Sequence, residues 1–143
     1  DEEYPSYIKE KTLKLWSENK FIKWFGHTDD VLSFYQKATI VCMPSYYSEG
    51  VPKSLIEAAS VGKPIITTDM PGCRSIVQNN FNGILVRPKN VDDIVEAIKY
   101  LILNPDKASL YGKNGRELAK QFFDEKIIVQ STINIYEELI GIE

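Results

Sequence analysis

Apolar positions along the chain switch between two periods, short runs of consecutive apolar and β-branched residues and longer stretches at helical spacing. Residues Tyr7 to Glu18 read as a helix with Ile8, Leu15 and Trp16 on one side, and Phe21-Ile22-Lys23-Trp24-Phe25 as a strand ending at Gly26. Thr28 is placed to cap a helix from Asp29 to about Lys37, whose acidic first turn suits the helix dipole. A strand over Ala38 to Met43 follows, and Pro44-Ser45-Tyr46-Tyr47-Ser48 is too turn-prone to continue it. Pro52 suits the first position of the next helix, where its missing N–H costs nothing. Leu55, Ile56, Ala58 and Ala59 give that helix an apolar face, and it ends near Val61-Gly62. Pro64 to Thr68 predicts a strand, Cys73 to Gln78 a short helix, Asn79 to Gly83 a turn, and Ile84 to Val86 a strand. In the tail, Asn90 caps a helix on which Val91, Ile94, Val95, Ile98, Leu101 and Ile102 recur at helical spacing, and Asn104-Pro105 ends it. A helix from about Ala108 to Phe122 is weakened at its start by Gly112 and Gly115, and Asp124 caps a last one over Glu125 to Ile140.

Four short strands alternating with helices predict an α/β fold, a Rossmann-like three-layer sandwich with a parallel sheet and right-handed crossovers. The trailing helices read as covers for the core. At 143 residues the chain is one domain's worth, residues 1–143 forming a single unit. With 43% hydrophobic and 26% charged residues and a formal net charge of −3, it has an ordinary globular composition, and the mild acidity argues against a general nucleic-acid grip. Cys42 and Cys73 have no metal-like spacing and read as free thiols of a reducing, cytoplasmic compartment. No stretch approaches the roughly 18 apolar residues of a membrane span, and Asp1-Glu2-Glu3-Tyr4-Pro5 is not a signal peptide.

The candidate chemistry lies where the Ala38–Met43 strand passes into the following helix. Seven residues separate Glu49 from Glu57, and the two acids bracket the helix entrance. A strand–loop–helix unit points free backbone N–H groups at whatever sits beyond the carboxyl end of the strand, where anionic ligands bind in open α/β sheets. Lys53 stands in the first turn, where the macrodipole disfavours a cation by roughly 0.3–1 kcal/mol unless an anion is bound between them. Glu57, about one turn deeper, could reach back to a sugar diol, and Glu49 could face a group just beyond the phosphates. The spacing suits a diphosphate with a sugar at each end. The plainer alternative is that Lys53 and Glu57 form a solvated i, i+4 pair worth a few tenths of a kcal/mol.

The surrounding residues carry a resemblance. E-G-V-P-K-S-L-I-E-A-A-S-V-G-K-P-I-I-T-T-D from Glu49 to Asp69 resembles the donor-site signature of the retaining GT-B glycosyltransferases of group 1, glycosyltransferase family 4. Phe25-Gly26-His27, Met43-Pro44-Ser45, Pro71-Gly72-Cys73-Arg74 and Asn82-Gly83-Ile84-Leu85-Val86 stand in the matching order over about residues 20 to 140. The resemblance implies that Glu49 lies by the donor sugar and its leaving phosphate and that Glu57 binds the nucleotide ribose. It implies that Gly50, Val51 and Pro52, with the helix start at Lys53 and Ser54, cradle the diphosphate, and that Gly26 and His27 run past the base. His27, the single histidine, reads as a turn residue rather than a catalyst. Pro71 to Arg74 could line the acceptor side of the cleft or form a simple turn.

On this resemblance the whole protein transfers a hexosyl group, with retention, from a nucleoside-diphosphate sugar, UDP- or GDP-linked, to a saccharide or lipid-linked acceptor in cell-surface polysaccharide synthesis. No cofactor and no metal is implied. Family members carry an arginine and a lysine on a first strand–helix unit of this domain that neutralise the donor phosphates. Nothing in Asp1 to Lys20 matches them, since Lys9, Lys11 and Lys14 lie on a helix without the preceding strand and glycine turn. The expectation is a C-terminal, donor-binding domain truncated at its N-terminus, with the acceptor-binding domain outside the chain, weak nucleotide binding and no catalysis by this piece alone. The last helix would brace the other domain, and the parent enzyme could sit peripherally at the inner face of the membrane.

Two enzyme readings keep the fold and change the reaction, a nucleotide-sugar epimerase and a phosphorylase-like enzyme. From other classes come a receiver-type signalling domain, recruiting Asp29-Asp30 and Asp69 but lacking a well-placed late lysine, and a binding module without catalysis.

Overall fold

The computed structural model describes residues 8–47 and 49–141. Tyr7, where the first helix is expected to begin, Ser48 of the turn and the N-terminal Asp1–Pro5 lie outside the described residues. The chain divides into two compact units, Asp1–Val31 and Leu32–Glu143.

In the first unit, α1 (Glu10–Ser17) buries none of its residues. Residues 21–25 are not the expected strand. Their backbone is held instead by Asn19, whose Oδ1 accepts from the Phe21 amide, and by Ser17, whose Oγ accepts from the Trp24 amide. Phe21 is 93% exposed. An apolar run becomes a strand only where a neighbouring strand pairs its amides and carbonyls, and residues 21–25 join no ladder of the described residues.

The second unit contains α2 (Val31–Lys37, its first residue at the division), β1 (Val41–Met43), α3 (Lys53–Ser60), β2 (Ile65–Thr68), α4 (Pro71–Arg74), β3 (Gly83–Val86), α5 (Val91–Leu103), α6 (Pro105–Phe122) and α7 (Glu125–Ile140). Among the described residues three parallel strands, rather than four, stand in the order β1-β2-β3, with Cys42 opposite Ile66 and Ile66 opposite Ile84. β1 is shorter than expected because the Ala38 amide still bonds to Phe34 at the end of α2, and the ladder starts where the Val41 amide meets the Pro64 carbonyl.

All four residues of the central strand β2 are buried. Its side chains alternate between the two faces. Ile65 joins Leu55, Ala58 and Ala59 of α3, Cys73 of α4, and Ile76, Val77 and Ala119. Ile66 joins Val86, Ala97 and Leu101 of α5, and Ala108 and Tyr111 of α6. Helices on both faces of a parallel sheet make the expected three layers. α6 contributes to both clusters, so it closes the core on the two sides.

Several local expectations move by a turn. Pro52 is the N-cap of α3 rather than its first residue, with extended backbone (φ −68°, ψ 116°). α4 begins at Pro71 and stops at Arg74, because the chain then bends to bury Ile76 and Val77. α6 starts three residues earlier than expected, and its glycines are packing positions. A β-carbon on Gly112 would lie 2.1 Å from the Gly62 carbonyl oxygen, so α6 crosses the end of α3 at backbone distance. α7 is not a core cover: none of its residues is buried, and Ile128, Ile135 and Leu139 are more than half exposed.

Candidate functional site

The carboxyl edge of the sheet is built by hydroxyls on β2. Thr67 Oγ1 donates to the Met43 carbonyl at 2.8 Å and Thr68 Oγ1 donates to the Ser45 carbonyl. These bonds hold the chain leaving β1 beyond the point where strand pairing stops. The Asp69 amide bonds to the Val86 carbonyl at 2.8 Å, which fixes the exit of β2 against β3.

From this edge the loop runs through exposed Glu49, Gly50 and Val51 to buried Pro52 and α3. No side chain caps the helix, and its first hydrogen bonds run from the Leu55 and Ile56 amides to the Pro52 carbonyl. Pro52 has no N–H, so the donors available to a ligand are those of its neighbours. Ser54 turns its hydroxyl inward to the Met43 sulfur at 2.7 Å, leaving its backbone for the entrance. Lys53 Nζ stands 3.6 Å from Glu57 Oε1, with the lysine side chain 88% exposed. The plain i, i+4 pair therefore exists, and its solvation keeps it weak and easily exchanged for a bound anion.

Glu57 has a second partner that sequence reasoning missed. Tyr35, on α2, is half-buried, and its hydroxyl faces the Glu57 carboxylate. Burial, and then the neighbouring carboxylate, push the tyrosine pKa up, so it stays a donor. Twenty-two positions separate the two, and no local pattern signals the pair. A carboxylate with a phenol beside it still has lone pairs for a diol.

Lys89 is a second missed residue. It adopts a left-handed backbone (φ 59°) just beyond β3, and its ammonium stands 4.9 Å from the centre of the Tyr46 ring, which stacks on Tyr47 at 4.5 Å. Because the strands are parallel, Tyr46 three residues past β1 and Lys89 three past β3 leave the same edge of the sheet. The cation–π contact ties those two loops together.

Gly26 and His27 belong to the first unit, where Gly26 has φ +69° and exposed His27 stands 3.5 Å from Asp29. Arg74 is committed to Asp69, donating through Nε to its carboxylate and through a terminal nitrogen to its carbonyl at 3.2 Å. The arginine bond holds the Asp69 carboxyl below the usual range. Asp69 thus anchors α4 instead of serving as a phosphoacceptor. Cys42 and Cys73 are free, the latter buried with Thr67 Oγ1 3.2 Å from its sulfur. Among the described residues no group of three His, Cys, Asp or Glu could hold a metal ion, and no helix is long and apolar enough to cross a membrane.

The candidate site is an open shelf. A cleft of about 620 Å³ lies at the opposite edge of the sheet, beside Lys37, Lys63 and Lys113.

Three layers around a parallel sheet, with a strand–loop–helix entrance at its carboxyl edge, define the nucleotide-binding class of α/β domain. Residues 1–118 match the model of the glycosyl transferases group 1, and the chain belongs to that family. It is 34% identical over 120 residues to the N,N'-diacetylbacillosaminyl-diphospho-undecaprenol alpha-1,3-N-acetylgalactosaminyltransferase of Campylobacter jejuni, covering 83% of this chain and 31% of that protein. The capsular polysaccharide biosynthesis glycosyltransferase CapM of Staphylococcus aureus is 27% identical over 133 residues, 93% of this chain and 35% of its own. The chain thus spans about a third of the length of these curated relatives.

Among solved structures, sucrose-phosphate synthase from Thermosynechococcus elongatus superposes with a TM-score of 0.83 at 27% identity, over 94% of this chain and 34% of that one. Anabaena HepE in complex with UDP gives a TM-score of 0.82 at 24% identity, over 87% and 34%. The fold is that of the C-terminal domain of a GT-B glycosyltransferase.

Proposed function

We propose that this chain is the donor-binding part of a two-domain, retaining glycosyltransferase that moves a hexosyl group from a nucleoside-diphosphate sugar to a saccharide or lipid-linked hydroxyl in cell-surface polysaccharide synthesis. The observation that carries the reading is the α3 entrance, an uncapped helix start at the carboxyl edge of β1 with Glu49 on one side and Glu57, faced by Tyr35, on the other. Family membership supports the class of reaction, and the C. jejuni and S. aureus relatives, by their names, support a lipid-diphosphate or polysaccharide context. HepE, solved with UDP and with UDP-glucose, supports a uridine donor.

In this reading Glu57 takes the ribose hydroxyls, and the backbone from Gly50 to Ser54 with Lys53 takes the diphosphate. Cleavage of the glycosyl–phosphate bond leaves its electron pair on the β-phosphate oxygen and positive charge on the sugar ring. Helix-end amides and Lys53 stabilise the first, fixed dipoles aimed at developing charge. Glu49 holds the sugar's hydroxyls and tolerates the second. The exposed apolar residues of α7 are the surface through which it would brace the acceptor-binding domain.

Calorimetric titration of this chain with UDP and GDP tests the reading. One lysine and a helix end offset little of a diphosphate's charge when charge-assisted bonds are worth about 1.5–3 kcal/mol each, so binding is expected to be weaker than micromolar and to disappear in Glu57→Ala. Equal heats from both proteins would remove Glu57 from the site. In the intact enzyme, NMR of the product's anomeric signal decides retention, and a transferred sugar on a hydroxyl acceptor separates this activity from an epimerase or a phosphorylase.

A further inference from the structure

We propose that Gly72 is a positioning residue for the donor-sugar end of the site, a bare stretch of backbone on which the Glu49–Gly50 peptide rests. The proposal rests on the donor-site reading above and adds to it the element that sets where Glu49 stands. A β-carbon on Gly72 would lie 1.9 Å from the Gly50 carbonyl oxygen, 2.6 Å from the Glu49 carbonyl oxygen and 3.0 Å from the Gly50 carbonyl carbon. All three are backbone atoms, so no change of rotamer relieves the clash. One side must move by roughly 1 Å to restore ordinary contact, and a close-packed interior transmits that strain.

The surroundings decide which side moves. α4 is anchored on both flanks of Gly72: the Arg74 amide bonds to the Met70 carbonyl, the Arg74 side chain grips Asp69, and Cys73 is buried against Thr67. The Glu49 loop is exposed, and a β-carbon on Gly50 would meet nothing, so the loop is free to yield. Beyond it, Pro52, Leu55 and Ala58 are buried, and they hold Glu57 where it is. A side chain at residue 72 therefore shifts Glu49 and leaves Glu57 in place. The two ends of the donor site are positioned by different parts of the fold, the nucleotide end by the core face of α3 and the sugar end by α4.

The test uses the intact enzyme and two matched variants. Gly72→Ala and Gly112→Ala each drive a β-carbon into a backbone carbonyl, at 1.9 Å and 2.1 Å, but Gly112 faces Gly62 at the far end of α3. Both should lower Tm. Only Gly72→Ala should lower kcat for UDP-glucose cleavage, by about a hundredfold, the scale of a ~1 Å misplacement, with UDP affinity held within about twofold. Equal kcat losses in the two variants, or a loss of UDP affinity as large as that in kcat, would overturn the proposal. Amide hydrogen exchange gives a readout independent of donor chemistry. Exchange over residues 49–51 should quicken in Gly72→Ala while that over 57–59 stays as in wild type, and an unchanged 49–51 segment would overturn the proposal. If wild type neither binds UDP nor cleaves UDP-glucose, the donor-site reading has failed, and the exchange result still decides the role of Gly72. Should Gly72→Ala not fold, Arg74→Ala loosens the same anchor by removing only an exposed pair, and it should quicken the same segment to a smaller extent. No change there would also overturn the proposal.

Discussion

Two stretches that resemble the same family signature behave oppositely in the fold. Asn82, at the entrance to β3, is fully buried and spends its amide inside the protein, donating to the Ile76 carbonyl at 2.8 Å and accepting from the Gln78 amide at 2.7 Å. Glu49 and Lys53, at the entrance to α3, are exposed, and Lys53 is paired with a partly solvated carboxylate. One motif residue is closed on itself and the others are open. A buried, fully satisfied polar group holds shape, whereas an exposed one with a loose partner can exchange it for a ligand.

The sharpest way to break that contrast is Asn82→Leu. The Ile76 carbonyl, on a buried residue, loses its partner at about 1–3 kcal/mol and the Gln78 amide, on an exposed one, loses less, so urea denaturation should show a clear loss of stability, with nucleotide affinity of the folded fraction unchanged. Glu49→Gln and Glu57→Ala should do the reverse. Both should keep stability within about 0.5 kcal/mol. In the intact enzyme Glu49→Gln should lower kcat more than donor affinity, and Glu57→Ala should chiefly weaken nucleotide binding, by about ten- to a hundredfold for charged hydrogen bonds. The opposite kinetic pattern would exchange their roles. Tyr35→Phe removes the hydroxyl that faces Glu57 and should weaken UDP binding only a few-fold, the scale of about 0.5–1.5 kcal/mol. An affinity equal to wild type would show that Glu57 needs no support from α2.

The smallest effect lies away from the site. Arg87 grips Asp93 through two bonds of 2.7 Å and, chiefly through that hydrogen bonding, holds the Asp93 carboxyl below its ordinary range. A depressed folded value stabilises the protein above the unfolded carboxylate range, and the gain is lost as pH falls through the folded value. Asp93→Asn should therefore be less stable than wild type near neutral pH and converge with it in acid. A constant gap across the titration would mean that the charge contributes nothing.

The caps and the long helical periods needed no tertiary information. Asn90 accepts from the Asp93 amide and Asp124 from the Lys126 amide, and α7 runs from Glu125 to Ile140 as its pattern predicts. The alternation of strand and helix likewise carried the parallel sheet and three layers, because burial on both faces of β2 demands a near-continuous apolar run. The order of site residues along the loop was readable for the same reason: it is local chain. What the sequence could not decide depends on partners distant along the chain. Residues 21–25 have the composition of a strand and join no ladder of the described residues. Gly112 has the propensity of a helix breaker, yet α6 needs it to pass the Gly62 carbonyl. α7 has the pattern of a core helix, but α6 already closes both faces. Tyr35 meets Glu57 and Gly72 meets Gly50 only because the sheet brings them to one edge. Hydrogen-bond periodicity and capping act over a few residues and can be read in order, whereas pairing, close approach and cover are decided by whichever surface the folded chain presents.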